Sequence, residues 1–368
     1  MARSFDVIVV GGGPVGTACA REMALAGRRV LLLEAGGELG QAWKAAAGML
    51  APQIEAGPED PLLELGLEAR ELYRTLAAEL LETTGIDIGL WQEGIAALAA
   101  SEPEAAELRA RCAWQRQQGH LGDWLDAEEV QSRWPWLGPS LGAFYAPYDG
   151  ALEPARLVEA LSRDAERLGA TLEQDSVTAL ETRGDRIVGV VARRGRHSAE
   201  SVVLAAGAWS PSIEGLPRPL AIAPVRGQMA ALPWPAAARR AIIYGYGGYV
   251  VARGDEAIVG STMEYAGYRS EVTSAGLNGL FNAVTALWPG ADRAAARRTW
   301  AGLRPVTADG VPIIGPEPRL AGLWYACGHG RNGILLAGLT GQLVRQLIAG
   351  EPLGQDLSRC EPERFWTW

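Results

Sequence analysis

Three consecutive glycines halt a buried apolar run near the start of the chain, and the residues on either side of them leave room for only one kind of unit. Phe5 to Val10 is a β-branched run suited to a fully buried strand, Gly11-Gly12-Gly13-Pro14-Val15-Gly16 follows, and Thr17 to Ala26 is rich in helix formers. Gly27 is placed to stop that helix, and a second apolar strand, Arg28 to Leu33, ends at Glu34. A G-x-G-x-x-G between strand and helix is the fingerprint of a dinucleotide-binding βαβ unit. Gly11 permits the tight turn, Gly13 lets the backbone approach a pyrophosphate, and Gly16 lets helix and strand pack closely. The helix amides then favour the phosphates. Glu34, about 20 residues on, is placed to accept both ribose hydroxyls and disfavours a 2′-phosphate. FAD and NAD share this adenosine half, so the motif leaves both open.

The rest of the chain narrows the setting. With 368 residues, 48% apolar and 21% charged, it can bury a sizeable core, and a net charge of -9 with no basic patch excludes nucleic acid as a partner. Cys19, Cys112, Cys327 and Cys360 are widely spaced, which fits a reducing cytoplasm. Only His120, His197 and His329 are present, so no metal site is assigned. Arg3 and the apolar run after it have the order of a signal peptide, but the run stops at the glycines. The stretch Gly333 to Gly350 is interrupted by Gln342, Arg345 and Gln346, so no membrane span is expected.

Periodicity predicts amphipathic helices over Pro61 to Thr83, Glu102 to Gln117, Glu153 to Leu168 and Ser274 to Leu287. Short strands at Ala170 to Glu173, Val177 to Glu181, Arg186 to Val191 and Ser201 to Ala205 read as a meander returning to the nucleotide unit. Val225 to Leu232, Ala241 to Val251 and Ala257 to Ser261 read as strands of a second, half-buried sheet. The expected fold class is α/β with an α+β second domain. A Rossmann-like unit comprises residues 1–85, 150–220 and 301–368, and a discontinuous substrate domain on an antiparallel sheet comprises 86–149 and 221–300.

Further segments decide between cofactors. Val202 to Leu204 leads into Ala205-Ala206-Gly207, the pattern of a second strand crossing beside the cofactor. Gly302-Leu303-Arg304-Pro305 precedes Asp309 to Gly315 in a turn-rich stretch, and Gly328-His329-Gly330-Arg331-Asn332-Gly333-Ile334 opens the last helix. With GGGPVG, AAAGMLAPQIE at Ala45 to Glu55, RGQM at Arg226 to Met229, WAGLRPVTADGVPIIG at Trp300 to Gly315 and GHGRNGILLA at Gly328 to Ala337, the chain resembles the FAD-dependent D-amino-acid oxidase superfamily. Within it, the chain is most similar to the bacterial glycine oxidases of thiamine biosynthesis.

The resemblance implies an FAD-dependent amino-acid oxidase in which Arg304 holds the substrate carboxylate. A planar guanidinium suits this, since it grips a carboxylate through two parallel hydrogen bonds. Tyr249 and Arg331 are implied to face the substrate, with Met49 and Met263 as pocket walls. On the cofactor side it assigns Pro14 and Val15 to the phosphate turn, Glu34 and Ala35 to the ribose, and Val177 to the adenine. Ala47, Gly48 and Met49 fall to the ring neighbourhood, Gly207 to the second crossing, and His329, Gly330, Arg331, Asn332, Gly333, Ile334 and Leu335 to the pyrimidine end. Ala42, Trp43 and Lys44 replace the family's small or hydroxyl residues before the AAAGM block, so Ala42 can offer phosphate only its backbone. Lys44, the chain's single lysine, is a candidate phosphate or flavin partner or else a solvated loop charge. No Cys or His stands at an identifiable attachment point, so FAD is expected to be non-covalent. The resemblance also implies a homotetramer.

The expected reaction is hydride transfer from the α-carbon of glycine, a small D-amino acid or a secondary amine to flavin N5, with oxygen as acceptor and a 2-oxo acid, ammonia or amine, and hydrogen peroxide as products. Three alternatives stand beside it: a dehydrogenase of the same fold with another acceptor, a sarcosine-type oxidase, and a flavin-binding protein without catalysis.

Overall fold

The computed structural model describes residues 4–37, 40–235, 238 and 240–366, so Arg3 lies outside it. Two eight-stranded sheets organise the described residues. In the first, Ser4–Val10 lies between Val30–Glu34 and Gly195–Leu204, parallel to both. Thr171–Gln174 extends the parallel order on one side and Leu323–Cys327 on the other. The strands Val177–Arg183 and Arg186–Ala192 form the expected antiparallel meander. In an open parallel sheet, ligands bind outside the carboxyl ends of the strands. Here those ends are Val10, Glu34, Gln174, Leu204 and Cys327, and the segments leaving them are the glycine turn, Ala35, Asp175 onward, Ala205 to Gly207 and Gly328 onward.

The first helix, Pro14–Leu25, starts three residues earlier than expected, with Pro14 at its head, where the missing N–H costs nothing. Close approach explains its glycines. A Cβ on Gly16 would lie 1.9 Å from the Gly11 carbonyl oxygen, and one on Gly11, whose φ is +107°, would lie 2.4 Å from that of Ala205. The final helix, Ala337–Ala349, packs on the first, with Gly341 against Ala18.

The second sheet runs in the order Arg298–Thr307, Ile222–Pro233, Glu256–Gly260, Gly248–Arg253, Ile242–Gly245, Ile95–Leu98, Ala143–Ala146, Asp123–Leu125. It is antiparallel except where Ile242–Gly245 meets Ile95–Leu98. Its alternation divides the core. Ala230, Leu232, Val250, Ala252 and Val259 pack against the helix Ser274–Leu287 and a cluster containing Trp134, Trp234 and Trp288. Met229, Ala231, Val251 and Ile258 face the first sheet's side, beside Met49, Tyr244 and Tyr249.

Three sequence expectations change. Residues 241–251 form a hairpin rather than one strand: Tyr246 (φ 55°) and Gly247 (φ 79°) make a two-residue turn with both φ positive, so Tyr249 lies opposite Tyr244. The segment Gly302 to Pro305 lies on the strand Arg298–Thr307 rather than in a turn. The last helix starts at Ala337, and the preceding glycine block is an irregular loop in which Gly328 and Gly330 take positive φ. Among the described residues, no helix is long and apolar enough to cross a membrane.

Candidate active site

One continuous cavity of about 1400 Å³ runs from the carboxyl edge of the first sheet to the inner face of the second. At its nucleotide end lie Gly11, Gly13, Pro14, Val15, Glu34, Ala35 and Val177. Glu34 is half-buried and accepts hydrogen bonds from the amides of Gly12 (2.6 Å) and Gly36 (3.4 Å). A carboxylate has lone pairs beyond these two, which leaves capacity for ribose hydroxyls. A Cβ on Gly12 would collide with the Glu34 side chain at 2.9 Å, so the glycine gives this contact its room. The indole of Trp43 lies over Gly13. The glycine edge, the helix N-terminus at Pro14, the carboxylate at the strand tip and a cavity of this volume together fit an FAD.

Ala42, Trp43, Ala47, Gly48, Met49, Gly207, His329, Gly330, Arg331, Asn332, Gly333 and Ile334 continue the lining. Three of the candidate residues stand apart from it. Gly16 lies beneath the turn in helix packing, Leu335 borders a small adjoining cavity, and Lys44 is exposed, donating to the Gly37 carbonyl at 3.1 Å. His329 is 3% exposed and bonded to Thr340 at 3.0 Å. Burial pushes its imidazole down to about 4, so it is neutral near pH 7.

At the far end the second sheet supplies Tyr249 and Arg304, and the segment after Gly260 supplies Met263, which is largely exposed. Arg304 donates to Ser261 Oγ at 2.6 Å and to the Thr262 carbonyl at 3.1 Å, and no carboxylate pairs with it among the described residues. Its position depends on Gly227 of the neighbouring strand, where a Cβ would lie 2.2 Å from Arg304 Nη1. Gly260 performs the same service for the Tyr249 hydroxyl. Burial pushes the Tyr249 phenol up, opposed by the Arg304 charge, and it stays protonated. A guanidinium without a carboxylate partner beside a phenol O–H can receive one carboxylate, with parallel charge-assisted donors and a third hydrogen bond in place of the one the Tyr249 hydroxyl makes to Met229 Sδ at 3.3 Å.

Arg331 has a different environment. It is ion-paired with Glu55 through Nε, and Asp60 lies 4.0 Å from Nη2. The other Glu55 oxygen accepts from Tyr244 at 2.7 Å, and Tyr244 and Tyr249 have ring centroids 5.5 Å apart. Burial, then the Glu55 charge, pushes the Tyr244 phenol well up.

Glu55, Tyr244, Ser261, Gly227 and Arg253 are functional candidates that sequence reasoning missed. Glu55 lies inside the AAAGMLAPQIE block, and a hairpin turn at Tyr246-Gly247 would have paired Tyr244 with Tyr249. For Ser261 and Arg253 the sequence holds no signal. Arg253 reaches from the second sheet to donate to the carbonyls of Ala47 and Leu152, fixing the segment before Gly48. Glu55 is itself held from behind. Asp149, fully buried, accepts from the amides of Gln53 (3.1 Å) and Ile54 (2.9 Å) and pairs with Arg70 at 2.7 Å, anchoring the short helix Pro52–Glu55.

Comparison with known proteins gives the family of the chain. A family model described as FAD dependent oxidoreductase matches residues 6–347. The chain is 35% identical to a glycine oxidase of Geobacillus kaustophilus over 97% of its own length and 96% of the relative's, and 33% identical to a glycine oxidase of Bacillus licheniformis over 96% and 95%. The crystal structure of glycine oxidase from Geobacillus kaustophilus superposes with a TM-score of 0.94 at 34% identity, covering 99% of each chain.

Proposed function

Because the chain belongs to the FAD-dependent oxidoreductase family, we propose that it oxidises glycine, or a comparably small D-amino acid or secondary amine, to the 2-oxo acid with oxygen as acceptor. The observation that carries this reading is the Arg304 guanidinium, which faces the cavity without a carboxylate partner among the described residues and is oriented by Ser261 and Thr262. A cation left unpaired in a cavity of this kind is suited to an anionic ligand, and its planar fork matches a carboxylate. Tyr249, neutral and beside it, adds an O–H donor.

In this reading, gripping the carboxylate at Arg304 and Tyr249 fixes the α-carbon relative to the Ala47 to Met49 wall, and catalysis is chiefly orientation. Bound flavin supplies the two-electron acceptor. The substrate loses a hydride from its α-carbon and a proton from nitrogen. The resulting imine takes up water to release ammonia or an amine, and oxygen leaves as hydrogen peroxide. The apolar walls Met49 and the buried Met229 limit water at the reacting face, whereas Met263, 64% exposed, stands at the solvent side of the cavity. FAD is held without a covalent bond in this proposal. Cys327 lines the cavity, but burial pushes its thiol up to about 12, which withholds the thiolate that attachment needs.

Oxygen consumption with glycine, sarcosine and D-alanine, with parallel assay of peroxide and 2-oxo acid, tests the reaction. Matching amounts of oxygen consumed and peroxide formed are expected. Substrate-driven reduction of an artificial acceptor without oxygen uptake would transfer the chain to the dehydrogenases.

A further inference from the structure

The two arginines of the cavity are held in opposite electrostatic states. Arg304 has only a hydroxyl and a carbonyl for partners, so its full charge is available to a ligand. Arg331 is engaged by Glu55, with Asp60 next to it. Two carboxylates therefore stand beside one guanidinium. Glu55 is not free to turn away. One oxygen is bonded to Tyr244, and its helix is pinned through the backbone amides of Gln53 and Ile54 to the buried Asp149–Arg70 pair.

We propose that Glu55 is a specificity-determining residue that withholds Arg331 from the substrate, so that the cavity accepts amines carrying one carboxylate and rejects those carrying a second. The proposal rests on the amine-oxidising reading above and specifies its substrate class. Five residues connect the two ends by contact or close proximity: Arg304, Tyr249, Tyr244, Glu55 and Arg331. A ligand held at Arg304 by its first carboxylate would bring a second one toward Arg331. There it would meet Glu55 already in place, and displacing Glu55 would leave two like charges beside one cation. Like-charge juxtaposition of this kind discriminates between ligands by repulsion. With Glu55 neutral, Arg331 would become a second carboxylate receptor, and selectivity would turn toward dicarboxylic amines.

Non-oxidisable ligands read this directly in the holoenzyme. Propionate and succinate differ by one carboxylate, and their dissociation constants follow from perturbation of the bound flavin's absorbance. D-Alanine and D-aspartate give the same comparison in turnover. The parent is expected to bind propionate in clear preference to succinate. Glu55→Gln, which keeps hydrogen-bonding capacity toward Tyr244, should lower the succinate-to-propionate ratio of dissociation constants about tenfold. Adding Arg331→Met should return the ratio to the parent's. If Glu55→Gln fails to retain flavin, Glu55→Ala reads the same ratio. An unchanged ratio, or a gain that survives Arg331→Met, overturns the filter. If propionate and succinate behave as expected but no amine bleaches the parent flavin, the oxidase reading fails while the filter stands. If propionate does not bind the parent at all, both fall.

Discussion

Arg304 reaches the cavity only because two strands make room for it: Gly227 faces Gly302 across the sheet, and the guanidinium lies where a side chain on residue 227 would project. Replacing Arg304 with Met removes two charge-assisted hydrogen bonds, each contributing about 1.5–3 kcal/mol, so kcat/KM for amine oxidation should fall at least about 100-fold with the flavin spectrum intact. Arg304→Lys should recover little, since an ammonium is a point charge. Wild-type turnover by either variant would move the carboxylate receptor elsewhere. His329 gives a residue-scale prediction of another kind. Its folded pKa, about 4, lies below its ordinary 6.5, so its contribution to stability is complete above pH 6.5 and is lost as pH falls toward 4. The parent's Tm should therefore drop more steeply over that interval than that of His329→Asn. Asp149, raised by burial to about 6, acts with the opposite sign by losing stability as pH rises from 3.8 through 6, so the comparison is between variant and parent. Parallel Tm curves would remove His329 from the acid response.

Elements, rather than single residues, decide how much of this is legible in the sequence. The βαβ unit reads directly because its strand, turn and helix signals are local and agree with one another, and Glu34 follows from their spacing. The hairpin at Tyr246-Gly247 does not read so easily. Only its second turn residue is a glycine, and the flanking tyrosines imitate a single alternating strand. The contact between Glu55 and Arg331 joins residues 276 positions apart, and no local pattern announces it. The short helix Pro52–Glu55 is likewise too brief to hold itself, and the Asp149–Arg70 pair behind it supplies the anchor. Arg70→Met should leave the Asp149 carboxylate buried without its cation and destabilise the protein by about 3–5 kcal/mol in urea unfolding. A loss near zero would mean that the helix is held by other contacts.

At the scale of the whole molecule, the parallel strands of the first sheet bring five ends to one edge and the second sheet presents its inner face to the same space, so nucleotide and substrate ends share a single cavity. Glu34→Ala should raise the FAD dissociation constant by about tenfold or more, because hydrogen bonds to a charged group contribute about 1.5–3 kcal/mol each, and it should leave substrate preference unchanged. An unaltered flavin affinity would place the ribose elsewhere. On this reading the cavity holds FAD at one end and a monocarboxylic amine at the other. The most direct test is anaerobic mixing of the purified yellow protein with glycine, sarcosine and a panel of small D-amino acids while the flavin absorbance is followed. At least one of these should bleach the flavin and admitting oxygen should restore the colour, with both responses lost in Arg304→Met. A flavin that stays oxidised under every amine, or bleaching that persists in Arg304→Met, would contradict this reading.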